Sequence, residues 1–92
     1  MTLGDAISHL SSLNGRDTIY AAEPWASGSH AVVVAEPDDG GLPLEAQKLG
    51  LTYFLEVFVA REFLEGWALH LSSEPTIQEK IKRLIDFAVT DA

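Results

Sequence analysis

The sequence predicts an α+β fold, a small three-stranded, antiparallel sheet packed with helices in the order α-β-β-(short α)-β-α-α. Three observations carry this. Ala31-Val32-Val33-Val34-Ala35 sets three β-branched residues in a row, which crowd a helix and suit a pleated strand. After Glu56, apolar residues recur at three- and four-residue steps, the repeat of a helix with one buried face. A second helical repeat, Ile77, Ile81, Leu84, Ile85 and Ala88, follows a start signal in which Thr76 and Glu79 have capping-box spacing behind Pro75.

Taken in order, Leu3, Ala6, Ile7, Leu10 and Leu13 fall at helical spacing, with Thr2 placed to cap the start and Asn14-Gly15 to end the helix in a left-handed conformation. Asp17 to Ala22 has strand character through Thr18, Ile19 and Tyr20, and stops at Glu23-Pro24. The valine run lacks polar alternation, so it is expected to be covered on both faces and to be the central strand. Glu36-Pro37-Asp38-Asp39-Gly40-Gly41 reads as a turn, and Pro43 to Leu49 as one helical turn ended by Gly50. Residues 51–55 read as the third strand, with a helix start at Thr52 as the alternative. From about Glu56 a long helix buries Val57, Ala60, Leu64, Trp67, Ala68 and Leu71 and leaves Arg61, Glu62 and Glu65 off that face.

A chain of 92 residues fits one domain, 1–92, with a modest core. Fourteen acidic residues against six basic ones give a net charge of -8, a surface that repels phosphate backbones, so nucleic acid is not an expected ligand. The same field steers the chain towards a basic protein. No apolar run reaches the ~18 residues of a membrane span, the first residues lack the pattern of a secretory signal, and there is no cysteine; a cytoplasmic location is the expectation.

No spacing in the chain matches a catalytic, cofactor or metal motif. His9, His30 and His70 stand apart from one another and from any second ligand at helical spacing. Glu36, Asp38 and Asp39 belong to a turn in which Asp and Gly are favoured on their own account. Glu62 and Glu65 flank one side of a helix, which serves acid-base work only inside a pocket. Ser27, Ser29, Ser72 and Ser73 lie outside any nucleophile elbow, and neither Gly28 nor Gly40-Gly41 precedes the Lys-Ser or Lys-Thr of a phosphate loop. Catalytic, cofactor and metal residues are therefore all expected to be none.

What remains is apolar surface beside charge. Phe58 and Leu69 lie on the same side of the long helix as Glu62 and Glu65, Phe63 and Trp67 mark the edge of its core face, and Phe87 neighbours Lys80 and Arg83 on the last helix. Aromatic groups beside charges are common anchors of protein contacts, so Trp25, Phe58, Glu62, Glu65, Leu69 and Phe87 are the candidate protein-contact residues. Trp25, in a Pro/Ser/Gly loop, reads equally as a lid on the core or an exposed handle.

Trp25 ahead of the valine strand, the acidic turn after Glu36, the stretch from Pro43-Leu44-Glu45-Ala46 to Gly50-Leu51 and a last helix running into Asp91-Ala92 together resemble a small uncharacterised bacterial domain family. The resemblance spans roughly residues 18 to 92. Members are similar in size and acidity to toxin-immunity proteins and to the products of mobile integron gene cassettes, and they supply no site residues. The resemblance implies an apolar or aromatic residue beyond Asp91-Ala92, hence a truncated C-terminus. The leading expectation is a non-catalytic interaction module, binding a basic protein partner in an antidote-like manner or forming a homodimer. The alternative is a small-molecule binder or enzyme with a pocket between sheet and long helix, built from Trp25, His30, Tyr53 and Glu56. A third reading is a structural part of a larger assembly.

Overall fold

A computed structural model describes residues 1–90; the expectations attached to Asp91 and Ala92 lie outside the described residues. Thr2 opens α1 (Leu3–Ser8) with a reciprocal cap, its hydroxyl accepting from the Asp5 backbone N–H at 3.0 Å while the Asp5 carboxylate accepts from its N–H at 3.1 Å. These hydrogen bonds hold the Asp5 carboxyl below its ordinary pKa, the Thr2 backbone N–H first. The expected single helix to Asn14 does not form. α1 gives way at His9, and Leu10–Ser12 make a separate 3-10 turn, because the carbonyls of Leu10 and Leu13 accept from the Arg61 guanidinium instead of continuing a helical ladder. Gly15 is not left-handed; the glycines with positive φ are Gly40 and Gly50.

The strands are β1 (Asp17–Ala21), β2 (Ala31–Ala35) and β3 (Thr52–Glu56), hydrogen-bonded in the order β2-β1-β3 with both pairings antiparallel. The valine strand is therefore an edge, and β1 is the centre. Cover on both faces misled the expectation: Val33 packs towards the main core and Val32 and Val34 towards the opposite side, yet face cover does not report which strand edge is paired. Between Ile19 and Tyr20 the β1–β3 register slips, Ile19 facing Leu55 and Tyr20 facing Tyr53. Phe54 is the extra residue of this bulge, and it joins Leu55 in the same core.

One face of the sheet is covered by α1, α3 (Val57–Ala68) and α4 (Ile77–Thr90), whose Leu3, Ile7, Val57, Ala60 and Leu84 enclose Ile19, Phe54 and Leu55. α3 begins where β3 ends, with no residue between them. α4 carries the expected box, Thr76 N–H donating to the Glu79 carboxylate at 2.8 Å and Glu79 N–H to the Thr76 hydroxyl at 3.1 Å. Its ladder is amphipathic, with Ile81, Leu84 and Ala88 buried. Among the described residues no helix is long and apolar enough to cross a membrane.

The other face is covered more thinly by α2 (Leu44–Leu49), which Gly50 ends in a left-handed conformation, φ 70°. α2 buries Ala46 beside Tyr20 and Leu51, while Leu44 and Leu49 stay exposed. Tyr20 is 1% exposed, and its hydroxyl has no hydrogen-bond partner. Burial pushes its pKa up, Glu36 adds to this, and the Thr18 hydroxyl pulls the other way. An unpartnered buried hydroxyl is a net cost, so Tyr20→Phe is expected to raise stability by about 1 kcal/mol. The urea midpoint measures it; a fall on substitution would show that the hydroxyl is bonded in solution.

Candidate protein-contact surface

α3 is positioned by what it buries. Val57 and Ala60 close onto the sheet, and Leu64, Trp67 and Ala68 are only half-buried as the helix runs out past the sheet. Leu71, expected on the core face, follows the helix end and is exposed. Arg61 holds the first half of α3 to the N-terminal segment, its Nε and Nη2 donating to the Leu10 carbonyl at 3.0 and 2.8 Å and Nη2 also to the Leu13 carbonyl. The second half packs on α4 through a stack of Phe63 on Phe87, ring centroids 4.0 Å apart and 15° from parallel, with the Arg83 guanidinium 4.9 Å from the Phe63 ring centre.

Four of the six candidate contact residues come together. Phe58, Glu62, Glu65 and Leu69 follow at steps of four, three and four residues, which sets them in one outward stripe roughly 16 Å long. Phe58 is 48% and Leu69 84% exposed, and both glutamates are exposed between them. Among the described residues the ion pairs are Lys80–Glu74 and Lys82–Asp86, and neither involves Glu62 or Glu65. The stripe thus offers two apolar ends and a doubly negative middle.

Trp25 and Phe87 do not join it. The Trp25 ring meets Phe54 edge-on, centroids 4.9 Å apart at 88°, and its Nε1 donates to the Ala21 carbonyl at 3.3 Å, so this residue is a lid on the core. Phe87 is half-buried against Phe63.

The residues of the alternative pocket do not all come together. Between the sheet and α3 the space is filled by Ile19, Leu55, Val57 and Ala60, each at most 1% exposed. Trp25 packs on the helix-covered side with Phe54, whereas Tyr53 meets Tyr20 edge-on, 6.3 Å between centroids, on the side of α2. His30 lies at the start of β2, bridged to Thr2, with the whole of β1 between it and Tyr53.

A cleft of about 300 Å³ does lie among the 3-10 turn, α3 and the start of α4, lined by Leu10, Arg61, Leu64, Glu65, Ile77 and Lys80. Its cations are already engaged, Arg61 with carbonyls and Lys80 with Glu74 at 3.7 Å, which leaves few groups to orient a ligand. Among the described residues no three His, Asp or Glu side chains are grouped to hold a metal ion.

Two contributors escaped sequence reading. Arg61 reads as one more charge off the apolar face, and its carbonyl partners, 48 and 51 residues away, leave no local signal. The exposure of Leu44 and Leu49 has no signal in the sequence either, because helical spacing does not reveal that Ala46 is the side chain turned inward. Compared with protein-family models, curated proteins and solved structures, the chain has no match.

Proposed function

We propose that the chain is a non-catalytic interaction module of the cytoplasm that binds a basic protein through the outer stripe of α3, in the manner of an antidote held against its target. The observation that carries this is the arrangement of Phe58, Glu62, Glu65 and Leu69, two exposed apolar anchors around carboxylates that take part in no ion pair among the described residues. A net charge of -8 speeds encounter with a basic surface, and the apolar ends supply desolvated contact once docked. Both features favour a cationic partner over a second copy of an equally acidic chain.

The test places a photo-crosslinking amino acid at Phe58 or Leu69 in the cells from which the chain comes. The expected result is one adduct, with a protein of basic isoelectric point, from both positions and not from a control at Lys48. Charge reversal at both Glu62→Arg and Glu65→Arg is expected to weaken that complex by about tenfold, about 1.4 kcal/mol, and to remove its salt sensitivity. An adduct unaffected by the reversal, or equal capture from Lys48, would refute the reading.

A further inference from the structure

β2 is the regular edge of the sheet. It pairs with β1 without a slip, from Asp17↔Ala35 to Ala21↔Ala31, and none of its five residues is charged. β3, the opposite edge, is interrupted by the bulge at Phe54 and ends on Glu56. Proteins blunt their edge strands with charges, proline or bulges, because an open row of backbone groups invites another strand. Between Ala31 and Ala35 no such device is present.

Backbone alternation shows which groups are open. The His30 carbonyl accepts from Ala22 N–H, towards β1, whereas Ala31 N–H donates outward to the Met1 carbonyl at 2.9 Å and the Ser29 carbonyl accepts from Leu3 N–H at 2.7 Å. The odd-numbered residues therefore turn outward, and the N–H and C=O groups of Val33 and Ala35 point away from the sheet, where none of its other strands lies. The segment Met1 to Leu3 lies along the edge beside Ser29 to Ala31.

We propose that β2 is the seam of a homodimer, pairing antiparallel with β2 of a second copy about a two-fold axis through Val34 to make one continuous six-stranded sheet. In this register Val33 exchanges both backbone hydrogen bonds with Ala35 of the second copy, and the axis repeats the exchange, so four bonds satisfy all the outward groups of Val33 and Ala35. Val34 meets its own counterpart. The open part of the edge is only as long as Val33 to Ala35, between the Met1 segment and Pro37, and a second copy offers the same groups in matching order, which favours it over a longer unrelated strand. The Met1 segment and Pro37, which lacks an N–H, end the ladder on either side, so the seam is short and association is concentration-dependent.

The experiment is sedimentation of the whole chain across a concentration series up to ~1 mM, a range in which small interfaces assemble, at low and high salt. It is paired with amide exchange by NMR. The mass is expected to rise towards twice that of one chain, more readily at high salt, since two chains of charge -8 repel. Val33 and Ala35 amides gain protection with concentration, while Val32 and Val34 amides, bonded to β1, are protected throughout. Ala35→Pro removes an outward N–H and leaves the β1 ladder intact, and Val34→Lys sets two like charges on the axis; each is expected to weaken the dimer about tenfold or more with an unchanged far-UV spectrum. A single-chain mass throughout would overturn the seam, as would a dimer that survives both substitutions or one that leaves Val33 and Ala35 exchanging freely. At high salt, where that repulsion is screened, the α3 variants Glu62→Arg and Glu65→Arg leave this dimer unchanged, which separates its failure from that of the partner-binding reading.

Discussion

Phe54→Ala is expected to cost about 3–5 kcal/mol, enough to lower the melting temperature by about 12 °C or more in a domain of this size. Phe54 is 1% exposed, and as the unmatched residue of the β1–β3 bulge it fills the core from a position that a regular strand would turn to the other face. Truncation leaves a cavity beneath Trp25, because the indole rests edge-on against the Phe54 ring and is otherwise held by one long hydrogen bond to Ala21. In a Trp67→Phe background the emission of Trp25 reports this directly. It is expected to shift to the red before global unfolding. A substitution that shifts neither the emission nor the melting temperature would mean that Trp25 and Phe54 do not pack as described.

Arg61→Ala is expected to destabilise the chain by about 2–3 kcal/mol, as befits loss of charge-assisted hydrogen bonds to the Leu13 carbonyl and to the Leu10 carbonyl, which keeps only the long bond from Leu13 N–H. The guanidinium spans Leu10 and Leu13 at once, and this fork is what ends α1 early and fastens the 3-10 turn to α3. Arg61→Lys keeps the charge with a single ammonium that cannot span both carbonyls, so it is expected to recover less than half of the loss. Exchange of the Leu13 amide, which donates to Leu10 within the turn, is expected to accelerate in both variants. Equal stability of the lysine and arginine forms would show that charge alone suffices.

Much of this architecture is legible in the residues. The order of elements follows from local signals: the valine run, the helical repeat after Glu56, the Thr76–Glu79 box and the Pro43 to Gly50 punctuation each act within a few residues. The position of β1 at the centre does not follow, because Thr18 and Tyr20 look less apolar than Val32 to Val34 while strand order depends on hydrogen bonds between distant segments. The bulge at Phe54 and the Arg61 clamp are hidden for the same reason. The contact stripe is half legible: helical spacing groups Phe58, Glu62, Glu65 and Leu69, but that Trp25 and Phe87 turn to Phe54 and Phe63 is a matter of tertiary packing.

Because β3 passes into α3 with no residue between them, the helix has no joint on which to swing. Glu56 closes the strand opposite Thr18 and is at once the residue from which the helix departs, so the orientation of α3 is set by the sheet. The proposed partner would meet a helix whose direction the sheet already fixes, which reduces the entropic penalty of association and leaves complex lifetime to the fit of Phe58 and Leu69.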